Sequence, residues 1–284
     1  MKISFRKRGF HFYGIIGLLL MILTEINFIY KIEPFASWYF PLIWFGYIFL
    51  VDALVYKIKG NSLISSRFKT FLGLVLISAF FWYIFELTNI SLNNWIYHGL
   101  ENLVKRNSLK IFSILSFATV LPALFETAEL MRAVHLFENS KLKRKHKITK
   151  GFLHGMMVLG FICILLPTIL AAFTFPLIWL GFFFLLDPIN YINGQPSVIK
   201  HIKDRKLTIP LSLLVAGIFM GFLWEFWNYW AVPKWTYSIP FIGFFKIFEM
   251  PILGYLGYFP FALELYAMYW FVRSLFVKKE KYLE

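Results

Sequence analysis

A chain that offers one stretch of about twenty apolar residues after another has little choice of solvent. A bilayer's hydrocarbon core takes a helix of about 20 residues to cross, and this sequence supplies eight such stretches, over 10–30, 35–56, 69–90, 109–132, 151–172, 174–192, 208–230 and 251–275. Charged residues make up 15% of the chain, against roughly 25% in soluble domains, and they gather in the gaps. Without water to satisfy backbone N–H and C=O groups, each span must bond internally, which selects helices. The expectation is an all-α, polytopic membrane protein of about eight transmembrane helices, one membrane domain over 1–284 with no soluble domain. The first stretch follows Lys2, Arg6, Lys7 and Arg8 but is long and lacks a small-x-small cleavage site. It is read as a retained helix and not as a signal peptide.

The gaps then set an orientation. Lys57, Lys59, Arg67 and Lys69 fill the second connection, Lys141, Lys143, Arg144, Lys145, Lys147 and Lys150 the fourth, Lys200, Lys203, Arg205 and Lys206 the sixth, and Lys278, Lys279 and Lys281 the tail. The alternate connections are poor in charge. Eight spans put every basic cluster on one side, which the positive-inside rule makes cytoplasmic together with both termini, in a multi-pass protein of the cell membrane. The formal net charge of +14 is thereby explained without a nucleic-acid partner. The single cysteine, Cys163, rules out an internal disulfide.

The sequence also repeats. Phe40-Pro41-Leu42-Ile43-Trp44, Gly46, Phe49-Leu50 and Asp52 return 135 positions later as Phe175-Pro176-Leu177-Ile178-Trp179, Gly181, Phe184-Leu185 and Asp187. Farther on, Glu86 and Asn89 correspond to Glu225 and Asn228, Trp95 and Tyr97 to Trp235 and Tyr237, and Pro122 with Glu126 to Pro260 with Glu264. Two four-helix repeats follow, about 9–135 and 151–276. Four spans is an even number, so the repeats are parallel, related by a pseudo-two-fold axis along the membrane normal, and a cavity between them is the natural place for a site.

Carboxylates inside apolar spans are expensive and mark function by default. Asp52 and Asp187 stand at helix ends, where capping or pairing with loop lysines suffices. Glu86 with Asn89, and Glu225 with Asn228, lie three apart on one helix face and offer a carboxyl and an amide to one pocket. Glu264 sits after Pro260, a residue expected to bend its helix. It is the candidate general acid, with a neutral glutamate bonded across the bundle as the structural alternative. Glu129 is expected to pair with Arg132. No histidine array, Walker loop, dinucleotide glycine pattern or nucleophile elbow is present, so neither a metal nor a cofactor is expected.

Trp224-Glu225-Phe226-Trp227-Asn228, then Trp235-Thr236-Tyr237, then Pro240-Phe241-Ile242-Gly243, then Pro260 with Glu264 resembles the membrane-embedded lycopene cyclase type of carotenoid cyclase, the heterodimeric or fused family, with a fainter echo at Glu86, Trp95, Tyr97, Pro122 and Glu126. The family has two adjacent glutamates where this chain has Glu264 and Leu265. The resemblance implies a proton-initiated isomerase, cyclase or hydratase (a lyase if water is added or removed) acting on a carotenoid, polyisoprenoid or related lipid without a redox cofactor. Glu264, Glu225 and Asn228 would be catalytic, and Trp224, Trp227, Trp235, Tyr237, Glu86, Asn89 and Glu126 would bind the substrate. Two other classes stay open: a transporter or channel using intramembrane carboxylates, and a non-catalytic scaffold or lipid-binding protein. The expected partner is a hydrophobic small molecule or lipid, with homo-oligomers left open.

Overall fold

The structure, a computed structural model, describes residues 9–241 and 243–277. Lys2, Arg6, Lys7, Arg8, Ile242, Lys278, Lys279 and Lys281 lie outside the described residues. Long helices dominate. In chain order they are α1 (Phe12–Tyr30), α2 (Tyr39–Lys59), the short α3 (Leu63–Ser66), α4 (Phe68–Leu92), β1 (Trp95–His98), α5 (Glu101–Lys105), α6 (Leu109–Phe117), α7 (Val120–Ala133), α8 (Lys150–Ile169), α9 (Ala171–Thr174), α10 (Ile178–Ile192), α11 (Val198–Lys203), α12 (Thr208–Trp230), β2 (Lys234–Tyr237), the two-residue β3 and β4 at 246–247 and 250–251, and α13 (Tyr258–Phe276).

Among the described residues seven helical stretches are long and apolar enough to cross a membrane, with α6–α7 and α9–α10 each counting as one. The eighth expected span differs. Residues 252–257 form a 3-10 segment and α13 begins only at Tyr258. Pro260 therefore lies in the first helical turn, where a missing N–H costs nothing, and not at a mid-helix bend. Pro122 occupies the same place in α7, just after the break at Ala118 and Thr119. The helix α13 is less apolar because it is central: Glu264, Tyr266, Tyr269, Trp270 and Arg273 are all buried in protein. By contrast α1 buries only Gly14, Gly17 and Thr24. Polarity and depth in the bundle run together, as expected of a chain whose perimeter faces something apolar.

The same local devices occur in both halves. The helix pairs α1–α2 and α8–α10 approach closely through glycine: a Cβ on Gly17 would meet the Gly46 carbonyl oxygen at 2.6 Å, and one on Gly160 the Gly181 oxygen at 2.8 Å. Small residues at such crossings let helix backbones touch. Asp52 accepts the Ile64 N–H at 2.8 Å and the Ser62 hydroxyl at 2.7 Å, and Asp187 accepts the N–H groups of Val198 and Ile199 at 2.8 and 2.9 Å. Each aspartate thus supplies the missing acceptor for the start of a short helix, α3 or α11, whose N-cap serine, Ser62 or Ser197, bonds the N–H three residues on.

The halves meet at three levels. Helices α7 and α12 pack together in the middle. At one end β1 and β2 pair antiparallel, with Trp95 opposite Tyr237, Ile96 opposite Thr236 and Tyr97 opposite Trp235. The register is self-complementary, since each tryptophan faces the tyrosine of the other copy, which is what a two-fold relation between equivalent segments requires. At the opposite end the fourth and sixth connections touch: Arg205 Nε donates to the Leu142 carbonyl at 2.7 Å, and Thr208 Oγ1 to that of Phe137 at 3.0 Å.

Candidate ligand cavity

A cavity of about 760 Å³ lies between the halves, close to the β1–β2 end. Its size is that of an ordinary small-molecule site. The wall is a run of aromatic rings from both copies: Trp95 and Trp179 have centroids 6.2 Å apart, Trp179 and Phe261 5.4 Å, Trp224 and Phe261 6.1 Å, and Trp82 and Phe261 6.4 Å.

One carboxylate interrupts this wall. Glu86, on α4, takes three donors on a single oxygen: Tyr97 Oη at 2.5 Å, Trp82 Nε1 at 2.8 Å and Trp95 Nε1 at 3.2 Å all reach Oε1. No described residue donates to Oε2. Local sequence explains the arrangement. Trp82 lies one helical turn before Glu86, and β1 is held against α4 by Asn89, whose Nδ2 donates to the Trp95 carbonyl at 2.8 Å while its Oδ1 accepts from the N–H groups of Asn94 and Trp95.

The second copy builds the counterpart with a different outcome. Asn228 Nδ2 donates to the Trp235 carbonyl and Oδ1 accepts the Trp235 N–H, both at 2.8 Å, so Asn228 is spent on backbone, as Asn89 is. Glu225 Oε1 accepts from Tyr237 Oη and Tyr258 Oη, each at 2.7 Å, and its carboxyl is fully buried. It does not line the cavity, whereas both tyrosines do. No family model, curated protein or solved structure matches this chain.

The structure therefore brings some of the expected site residues to one cavity and leaves others out. Glu86, Trp224, Trp235 and Tyr237 line it; Asn89, Asn228 and Glu225 stand behind it. Trp227 donates instead to Glu25 Oε1 at 3.1 Å. Glu264 is fully buried away from the cavity, where its Oε1 accepts the Phe182 N–H at 2.8 Å. Glu126 is equally buried, with Asp52, Glu129 and Arg67 as charged neighbours. Glu129 bridges Lys59 and Arg132, the latter at 2.5 Å. Sequence reading missed Trp82, Trp179, Tyr258 and Phe261. Trp82 was visible as the residue one turn before Glu86, and Trp179 as the repeat of Trp44. Tyr258 and Phe261 carried no signal beyond their nearness to Pro260.

Proposed function

We propose that this is a multi-pass membrane protein, basic end cytoplasmic, that takes an isoprenoid-class lipid into the aromatic cavity and isomerises or cyclises it by proton-initiated chemistry. The observation that carries the reading is Glu86: the one acid lining a mainly apolar, aromatic-rich cavity whose other charged lining residue is Lys110, with three donors on one oxygen and the other left for a ligand.

Donors aimed at Oε1 can hold the carboxylate that remains after Oε2–H gives up its proton. The proton adds to one alkene carbon, the π pair forms the new C–H bond, and the neighbouring carbon becomes cationic. The faces of Trp82, Trp95, Trp179 and Trp224 suit such a cation. Loss of a proton from an adjacent carbon to the Glu86 carboxylate restores an alkene and the acid, so nothing else need be consumed. In this reading the acid role given to Glu264 on sequence grounds passes to Glu86, with Glu225, Tyr237 and Tyr258 shaping the facing wall.

The experiment is to purify the protein in mild detergent, identify co-purifying lipids by mass spectrometry, and assay their conversion by wild type and Glu86→Gln. Retention of an isoprenoid and its conversion by wild type alone is the expected result. Equal conversion by both proteins would remove Glu86 from the mechanism, and bound lipid with no conversion by either would reduce the reading to binding. Thiol labelling of single cysteines placed in 141–147 tests the sidedness, and labelling only from outside the cell would overturn it.

A further inference from the structure

The basic residues at the cytoplasmic end fall into two kinds. Some are used internally: Lys59 pairs with buried Glu129, Arg67 has the buried Glu126 for a neighbour, and Arg205 is spent on the Leu142 carbonyl. Others, most densely those of the connection between the halves, stand at the surface. Lys141, Lys143, Arg144, Lys145, Lys147 and Lys150 are exposed, as are Lys203 and Lys206. No acid lies between 139 and 150; of the two nearby, Glu138 is engaged by His135 at 3.1 Å and Asp204 stands exposed beside Lys203.

These cations are held together by the backbone. Lys141 and Lys206 face each other across an antiparallel bridge, flanked by the bonds Leu142 N–H to the Arg205 carbonyl at 3.2 Å and Leu207 N–H to the Ser140 carbonyl at 3.0 Å. Like charges directly opposite one another across such a pairing repel and destabilise it. The juxtaposition makes sense when something anionic lies over both.

We propose that this platform is a binding surface for acidic phospholipid headgroups of the cytoplasmic leaflet. The segment joins the ends of α7 and α8, so in the membrane placement proposed above it lies within about one Debye length, roughly 8–10 Å, of the headgroup plane. Soluble anions and nucleic acid lack that enforced proximity.

The test uses the full chain in zwitterionic detergent micelles, which needs no bilayer and so does not share its failure with the sidedness labelling. Phosphatidylglycerol is titrated against phosphatidylcholine, following the thermal midpoint. Wild type is expected to be stabilised by phosphatidylglycerol in a salt-sensitive manner and not by phosphatidylcholine. Lys141→Gln with Lys206→Gln should weaken the apparent affinity by about tenfold or more, while Lys141→Arg with Lys206→Arg should retain it. Lys206→Glu should raise the midpoint without acidic lipid, by pairing with Lys141, and blunt the response to phosphatidylglycerol. Equal responses to the two lipids, an undiminished response in the glutamine double variant, or full reproduction of the effect by inorganic phosphate or an oligonucleotide would overturn the proposal.

Discussion

Glu86 and Glu225 occupy equivalent places in two copies of one sequence pattern, yet only one of them reaches the cavity. Each accepts from the tyrosine of its own outer strand, Tyr97 or Tyr237. The difference lies in the second donor. In the first copy it is Trp82, on the same helix, and the position corresponding to Tyr258 is Val120. In the second copy the position of Trp82 is Gly221, and the ring of Tyr258 fills the space, since a Cβ on Gly221 would stand 2.2 Å from it. Two substitutions thus exchange a large and a small residue between facing helices, keeping the volume filled and the carboxyl bonded. The exchange covers one acid and leaves the other uncovered. A repeated sequence pattern can in this way bury a carboxyl in one copy and leave its counterpart on a cavity wall in the other.

The comparison breaks first on activity. Glu86→Gln should lower turnover of the identified lipid by roughly 100-fold or more, whereas Glu225→Gln, whose amide oxygen still accepts from both tyrosines, should cost less than about tenfold. Equal losses, measured as kcat with melting curves alongside, would mean that both copies contribute chemistry. Next is the volume exchange itself. Gly221→Trp alone should destabilise by about 3 kcal/mol or more through overpacking against Tyr258, and adding Tyr258→Val should recover most of it. Denaturant or thermal midpoints of the single and double variants decide this, and a double variant no better than the single would dissolve the proposed correspondence.

Smaller effects sharpen the equivalence. Asn89→Ala and Asn228→Ala should each cost about 1–3 kcal/mol, because each leaves the backbone of its strand unpaired, and the two losses should agree within about 1 kcal/mol. Smallest is Trp82→Phe, which removes one of three donors to Glu86. It should lower stability by roughly 1 kcal/mol and reduce turnover while leaving the reaction product unchanged; a changed product ratio would show that Trp82 shapes the ligand's pose.

Much of this was legible in the chain. Long apolar stretches placed the long helices, and loop chemistry bounded them to within a few residues. The repeat located Glu86, Glu225, Asn89 and Asn228 before any coordinates did. The eighth helix was less legible, because a helix buried on all sides in protein is free to be polar, and α13 loses the apolar signature that a perimeter helix such as α1 must keep. The bonding of Asn228 to the Trp235 backbone is not legible for a related reason: an amide beside a carboxyl looks the same in sequence whether it faces a ligand or a strand's backbone. Which glutamate lines a cavity depends on residues from the facing helix, and nothing local to Glu264 or Glu86 records that.

The self-complementary pairing of β1 with β2 also limits how the molecule can move. The two copies are stitched at that end by main-chain hydrogen bonds in a register that allows no slippage without turning Trp95, Tyr97, Trp235 and Tyr237 to the wrong face. Any rocking of one half against the other would have to pivot there or break the shorter main-chain bridge that joins 140–142 to 205–207 at the basic end. Passage straight through between the halves would require breaking the β1–β2 stitch, so in the membrane placement proposed above a ligand of the aromatic cavity would enter and leave sideways, between helices.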